Sequence, residues 1–308
     1  MMISVIIPNY NHSPFLKERI ESVLHQTFDD FEVIILDDCS TDNSRDIINQ
    51  YRNHPKVNHI VFNKENSGST FKQWKKGFEL ARGEYVWIAE SDDVAHPDFL
   101  KKIMLEFEKY PRAVLAFSSM IRINEKSENQ GIINLTTRGT NPIDGIKFIR
   151  NNMLFGCHIL NASSAVFKRE SLDKISNTYQ YFKASGDYLF WTEIAKTGYV
   201  LKVNEGLDYF RHHSNKVTPQ AVATGVQFEE VHKIIEIMKA EGYISSITMQ
   251  VIAGFWQRKI RKCKTFNSQS IKNKCKSIWR LDTFHPFITE ALYLVFGSYR
   301  YFKKIINL

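Results

Sequence analysis

Along the first hundred residues, short runs of β-branched and aromatic side chains alternate with longer stretches whose apolar positions recur every three or four residues. The first pattern suits a strand and the second suits one face of a helix. SVIIP (Ser4 to Pro8) predicts a first strand. Ser13 and Pro14 then supply an N-cap and a first-turn proline to a helix with Leu16, Ile20, Val23 and Leu24 on one face. FEVIIL (Phe31 to Leu36) predicts a second strand, and Ser40 or Thr41 caps the helix carrying Ile47, Ile48 and Tyr51. HIVF (His59 to Phe62) predicts a third, followed by a helix through Phe71, Trp74, Phe78 and Ala81 that stops at Gly83. EYVWIA (Glu84 to Ala89) predicts the fourth. Strands and helices in this alternation build βαβ units, so the expected fold class is α/β with a mostly parallel sheet. Strands that are apolar almost throughout need helices on both faces.

Sheets of this kind bind ligands beyond the carboxyl ends of their strands. Polar groups follow three of the four strands: Asn9-Tyr10-Asn11, Asp37-Asp38 and Glu90-Ser91-Asp92-Asp93. They are expected to converge on one crevice. A second strand-rich section holds AVLAFSSMIRI (Ala113 to Ile123), SAVF (Ser164 to Phe167), YVLKV (Tyr199 to Val203) and LDYFRHH (Leu207 to His213), with helices near Gly145 to Leu154 and from Asp187 to Lys196. Beyond Thr218 the strand signals cease and helical periodicity takes over, as in FEEVHKIIEIMK. The expected organisation is one domain over residues 1–218 and a helical segment over residues 219–308, with the boundary near Pro219.

With 308 residues and 43% hydrophobic content, the chain can bury one sizeable core plus an appendage, which excludes disorder as its main state. The formal charge of +8 is unevenly placed: from Ala221 onward 14 basic residues face 6 acidic ones, while residues 1 to 220 balance. Cys39, Cys157, Cys263 and Cys275 are too scattered for a zinc site and read as free thiols of a reducing compartment. The opening MMISVIIPNYN has no basic leader and reads as a strand rather than a signal peptide. No apolar run reaches the roughly 18 residues of a membrane span. The expected location is the cytoplasm.

Carboxylates at the end of a buried strand repel one another, and a divalent cation offsets that repulsion directly. Magnesium or manganese takes one or two protein carboxylates and leaves the rest of its shell to substrate phosphates and water. An acid-x-acid step can set one carboxylate on the metal and its neighbour on a ribose hydroxyl; equally, Glu90, Asp92 and Asp93 can form a turn ahead of a helix starting near His96-Pro97. Asp37-Asp38 poses the same choice. Either Asp38 accepts a hydrogen bond from a pyrimidine or ribose, or Ser40, Thr41 and Asp42 cap a helix whose positive end the aspartates favour. Two acidic strand ends in one crevice shift the balance toward a ligand. Up to Asn124 the glycines are Gly68, Gly77 and Gly83, so no glycine-rich phosphate loop is available and a diphosphate here needs a metal.

SVIIPNYNHSPFLKERIESVLHQTFDDFEVIILDDCSTDNS, NSGSTFKQWKKGFELARGEYVWIAESDD and SGDYLFWTEIAKTGYVLKVNEGLDYFRHHSN together resemble the inverting family 2 glycosyltransferases of the GT-A fold, over roughly residues 1 to 218 and in the family's order. The resemblance implies a Rossmann-like sheet flanked by helices and a sugar-nucleotide donor, its base a uracil. It places Pro8, Tyr10 and Asp38 around the base, Glu90 and Asp92 at the nucleotide, and Mn2+ or Mg2+ on Asp92, Asp93 and His213. Glu90 stands where the family usually has aspartate, which leaves the division of ribose and metal roles among Glu90, Asp92 and Asp93 open. Asp187 occupies the place of the catalytic base, and it also suits a helix N-cap. Gly186 removes a neighbouring negative charge found in many relatives, and Arg211 adds positive charge near the diphosphate. NASS (Asn161 to Ser164) resembles a strand start near the donor sugar and acceptor, or is an ordinary turn. The Gln-x-x-Arg-Trp motif of polymerising synthases is missing, since YLF precedes Trp191; transfer of a single sugar is expected.

From Phe255 to Leu308, 12 basic residues face 2 acidic ones and are interleaved with aromatics. This suits peripheral contact with an anionic membrane, which fits a glycan or glycolipid acceptor at the inner face of the membrane. A solvated helical face is the plainer reading, and nucleic acid is disfavoured because no recognition motif is present. Two other functions are weighed: a sugar-phosphate nucleotidyltransferase, which needs a glycine-rich basic loop after the first strand, and a nucleotide-sugar-binding protein without turnover.

Overall fold

A computed structural model describes residues 1–133, 140–213 and 217–280, together with Leu294. The chain divides into two compact units, Met1–Phe148 with Ile159–Asn215, and Ile149–His158 with Lys216–Leu308. The first contains β1 (Ile3–Asn9), α1 (Ser13–Leu24), β2 (Phe31–Asp37), α2 (Ser44–Asn49), β3 (Val57–Phe62), α3 (Thr70–Leu80), β4 (Tyr85–Ile88), β5 (Val94–Ala95), α4 (Phe99–Lys109) and β6 (Ala113–Ile123). It continues with β7 (Asn129–Ile133), β8 (Ile143–Asp144), α5 (Gly145–Phe148), β9 (Ala165–Lys168), α6 (Gly186–Ala195) and β10 (Tyr199–Arg211).

These strands form one sheet in the order β3-β2-β1-β4-β9-β6-β10-β5, with β7 on β6 and β8 on β10. β1, β2, β3 and β4 run parallel, as do β6 and β10, while β9 lies antiparallel between β4 and β6. The uniformly apolar strands are explained by two covered faces. Ile3, Val5 and Ile7 join Val33 and Ile35 in a core with Leu16, Ile20 and Val23 of α1, Ile48 of α2, and Ile103 and Phe107 of α4. On the opposite face Ile6 meets α3 at Gly77, where a Cβ would sit 2.5 Å from Ile6 Cγ2, so only glycine lets the helix lie this close. Beside it, Phe78 of α3 stacks on Phe190 of α6 at 5.5 Å, and both rings abut Phe167 of β9. Phe167 and Phe190, both fully buried, each contribute about 2–3 kcal/mol by transfer from water, and the half-buried Phe78 less.

Pro8 sits inside a central strand, where a missing N–H is normally excluded. Ile6 O accepts from Ala89 N, so Ile6, and with it Pro8 two residues on, faces β4; that pairing ends at Ile6–Ile88, before Pro8 needs a donor. β1 therefore projects past β4, and this overhang opens the crevice at the strand ends.

Local boundaries differ from the sequence reading where side chains are recruited by tertiary contacts. The N-cap of α1 is His12, not Ser13, and α2 begins at Ser44 behind Asn43. Ser40 and Thr41 do not cap it: Ser40 Oγ is bonded to Asn9 and Asn11 N, and Thr41 N donates to Asn11 Oδ1. α4 starts at Phe99, and the helix expected over Gly145 to Leu154 is α5 followed by a π-turn, Ile149–Met153. The two strands expected at 199–203 and 207–213 are one strand, β10, bulged around Gly206.

The second unit holds α7 (Val217–Ala223), α8 (Val226–Ala240), α9 (Ser246–Lys262) and α10 (Gln269–Ile278). Its core is the stacked pair Trp256 and Trp279, 5.5 Å apart, with Trp279 Nε1 donating to Phe228 O at 3.1 Å. All four cysteines are free thiols. Among the described residues no helix is long and apolar enough to cross a membrane. The terminal basic run YRYFKKIINL lies outside the described residues.

Candidate active site

The pairing of β5 with β10 decides which side chains meet. Val94 and Ala95 lie antiparallel to Tyr209 and Asp208, so the residues just before Val94 face those just after Tyr209. Asp92 and His213 are thereby brought together: His213 Nε2 lies 2.9 Å from Asp92 Oδ2. His12, at the end of the β1 overhang, completes the group, and the ligand atoms of His12, Asp92 and His213 all lie within 4.8 Å of one another. His12 Nδ1 is hydrogen-bonded to Ser91 Oγ at 2.8 Å, and Phe15 makes ring contacts with both histidines. One carboxylate and two imidazoles on a partly buried rim are a donor set that fits a divalent ion.

Behind this group lies a buried polar layer. Asp93, 1% exposed, accepts from Asn161 Nδ2 at 2.7 Å, Ser163 Oγ at 2.8 Å and Arg211 N at 3.0 Å. Asn161 also donates to the buried Asp208 at 2.8 Å, and the Arg19 guanidinium lies 3.8 Å from Asp93 and 3.9 Å from Asp208. Burial, and then the charge of Asp92, push the Asp93 carboxyl above its usual range; burial, and then Asp93, do so more strongly for Asp208. Arg19 opposes both shifts. Arg211, expected near a diphosphate, is instead buried, with Nε on Asp92 O, Nη1 on Asn124 O and Ser127 Oγ, and Nη2 on Glu18 at 2.6 Å. Its guanidinium ties the chain around Asp92 to α1 and to the turn before β7.

Glu90 turns away from this group: its Oε1 accepts from Trp74 Nε1 at 2.8 Å. Burial first, and the Asp92 charge second, raise its pKa to about 8. Glu90 is therefore largely protonated near neutrality in the ion-free protein.

Asp38, 4% exposed, organises a loop. Its carboxylate accepts from Ser67 N, Ser67 Oγ, Asn63 Nδ2 and Gln73 Nε2, at 2.6 to 3.1 Å. With about four acceptor positions on a carboxylate, those donors fill it. Asp38 shapes residues 63–73 beside the strand ends. Tyr10, 46% exposed, stands next to Asn11, whose φ of +53° turns the chain sharply after β1. Pro8 is buried beneath it.

Asp187 lies in the first turn of α6, half-buried, with Ser185 as the N-cap; Asp187 is thus inside the helix rather than its cap. α6 reaches the site through its aromatics: Phe190 and Trp191 pack on Trp74, the residue bonded to Glu90. Gly186 has a steric cause. A Cβ there would lie 2.6 Å from both Phe71 Cδ2 and Tyr179 O.

The model of the family described as "Glycosyl transferase family 2" matches residues 4–176, more than half of the chain. This chain belongs to glycosyl transferase family 2. It is 29% identical over 255 residues to the putative teichuronic acid biosynthesis glycosyltransferase TuaG of Bacillus subtilis, covering 78% of this chain and 91% of that one. Among solved structures it resembles Staphylococcus aureus TarS 1–349 in complex with UDP, at a TM-score of 0.63 and 21% identity over 86% of this chain and 73% of that one. The mannosyltransferase PcManGT from Pyrobaculum calidifontis, solved with GDP-Man and Mn2+, has a TM-score of 0.51 at 16% identity, covering 96% and 74%. These likenesses place the family 2 chain in the GT-A fold, and its sheet is the mixed, helix-covered sheet of that fold.

Three residues of this candidate site escaped the sequence reading. His12 falls in a loop whose partners come from β4 and β10, and nothing local marks it. Asp208 looks like any polar position in a strand. Arg19 did carry a signal, since it sits three residues after Leu16 and four before Val23, on the apolar face of α1. An arginine on a buried stripe is rare unless paired.

Proposed function

We propose that this glycosyltransferase moves a single sugar from a UDP-linked donor to a hydroxyl of a glycan or lipid-linked acceptor in cell-surface polysaccharide assembly, with inversion at the anomeric carbon. The observation that carries the reading is the meeting of Asp92 and His213, brought from distant parts of the chain by the pairing of β5 with β10. The name of TuaG and the UDP held by TarS support the acceptor and donor classes.

In this reading the base lies against the exposed Tyr10 ring and the loop that Asp38 holds, and Glu90 lies at the nucleotide. Asp92 and His213 hold Mn2+ or Mg2+, and Asp93 serves by fixing the backbone around Asp92 instead of binding the ion. When bound, the ion stabilises the negative charge that grows on the departing nucleoside diphosphate. Asp187 takes the proton from the acceptor hydroxyl as its oxygen bonds to the anomeric carbon, opposite the breaking bond to the diphosphate. Arg261, Lys262, Lys264, Lys274, Lys276 and Arg280 are exposed in the second unit and supply a basic surface for peripheral contact with an anionic membrane in the cytoplasm.

A thermal-shift panel of nucleotide sugars with and without Mn2+ tests the donor, because a ligand that binds the folded state alone raises the melting point. A UDP-sugar that stabilises the chain more with Mn2+ than without is the expected result. No stabilisation by any nucleoside diphosphate sugar would reject the assignment.

A further inference from the structure

We propose that His12 is a third protein ligand of the divalent-ion site, making it a two-imidazole, one-carboxylate site that selects first-row transition-metal ions over Mg2+. The proposal rests on the reading of Asp92 and His213 as ion-holding residues and deepens it.

Geometry supports the third ligand. Donor atoms about 2.1 Å from one ion lie about 3.0 Å apart when adjacent and about 4.2 Å apart when opposite. His213 Nε2 and Asp92 Oδ2, at 2.9 Å, already have the adjacent spacing. The whole set lies within 4.8 Å, close to the spacing of opposite ligands, so side-chain rotation closes it on an ion. The surroundings hold the imidazoles ready. Ser91, 1% exposed, orients the His12 ring through its 2.8 Å bond to Nδ1. The His12 and His213 rings meet edge to face at 5.5 Å, and Phe15 lies against both at 6.4 and 5.2 Å. An apolar ring packed on both histidines keeps bulk water from one side of the site.

The chemistry follows from the donor set. Mg2+ prefers oxygen ligands and gives up its water reluctantly, whereas imidazole suits the later transition metals. A second imidazole therefore shifts the site toward Co2+ and the ions beyond it in the affinity order, while Mn2+, at the foot of that order and closer to Mg2+ in its taste for oxygen, gains least.

Isothermal titration of the full chain with MnCl2, CoCl2 and MgCl2 tests this, using wild type, His12→Asn, Ser91→Ala and Asp92→Asn. Asparagine is a good N-cap, so His12→Asn preserves the start of α1, and its ion-free melting point reports folding. Wild type is expected to bind Co2+ at least about tenfold tighter than Mg2+, with Mn2+ between the two. His12→Asn is expected to lose about tenfold or more for Co2+ and less for Mn2+ while Mg2+ stays within about twofold, and Ser91→Ala to fall between. Unchanged Co2+ affinity in His12→Asn, or equal wild-type affinity for Mg2+ and Co2+, would overturn the proposal. If Asp92→Asn abolishes binding while His12→Asn does not, only the His12 assignment falls. If neither variant changes binding of any ion, the reading of Asp92 and His213 falls with it.

Discussion

Replacing Arg19 with methionine removes a cation shared by two buried carboxylates. Arg19, Asp93 and Asp208 are each no more than 1% exposed, and the guanidinium lies 3.8 and 3.9 Å from the two acids. Breaking a buried pair by deleting one partner costs about 3–5 kcal/mol, because the remaining charge stays buried without compensation. Arg19 Nε also donates to Glu90 O at 2.8 Å, and without it that carbonyl is left with its longer bond from Asp93 N at 3.3 Å. At about 2–4 °C per kcal/mol for a domain of this size, Arg19→Met is expected to lower the melting point by roughly 6–20 °C at pH 7.5. Adding Asp208→Asn should restore part of that loss, since the neutral amide no longer faces Asp93 as a second anion. The pH dependence has a definite sign. Both acids have folded-state pKa values raised above the unfolded one, so the folded state holds protons that the unfolded state releases, and stability falls as pH rises above about 4. Without Arg19 that fall steepens, so the gap between variant and wild type should narrow toward pH 4.5. Urea unfolding of wild type, Arg19→Met, Asp208→Asn and the double variant at both pH values measures all four corners. An Arg19→Met cost below about 1 kcal/mol, or an Asp208→Asn change that destabilises the variant as much as it does wild type, would refute the buried-pair account.

Asp187→Asn should reduce kcat by about 100-fold or more with little change in UDP affinity, and a parallel loss of UDP binding in titration would remove Asp187 from the catalytic role. Glu32 is a stability prediction at the other end of the sheet. Burial raises its pKa, but the bonds from Arg82 and Ser4 outweigh this and hold it below the usual range. Its stabilising effect is therefore present above about pH 4.3 and lost as pH falls through the folded-state value, so Glu32→Gln should lower the melting point at pH 7 and much less at pH 3.5. Gly186→Glu, which puts a second carboxyl beside Asp187, should destabilise the chain by about 2 kcal/mol or more through its contact with Phe71 and Tyr179 O, measured by urea unfolding. In a Phe71→Ala background the added cost of Gly186→Glu should be smaller than in wild type.

The parts of the fold that were legible in the sequence are those set by local periodicity. β1, β2 and β4 are apolar runs bounded by polar ends, and the stripe Leu16, Ile20, Val23 points α1 at the core. The acidic strand ends were legible for the same reason, since three carboxylates in four positions need an offsetting charge. What was not legible depends on pairing between distant segments. β5 is two residues long and exists because β10 runs beside it, and that pairing is what carries Asp92 to His213. β7, mostly exposed, has no apolar alternation to announce it. Gly186 read as the removal of a charge, while its stated contacts are steric. Asp38 read as a ligand contact, while in the structure its acceptor positions are taken by the loop it organises. In each case the residue type was informative and its partner was not visible.

Binding of UDP to the full chain, titrated with and without Mn2+ for wild type and Asp92→Asn, addresses the rim site most directly. The account expects wild type to bind UDP at least about tenfold tighter with Mn2+, and Asp92→Asn to bind it equally with and without the ion. UDP affinity in wild type that is indifferent to Mn2+ and to Asp92→Asn would contradict it.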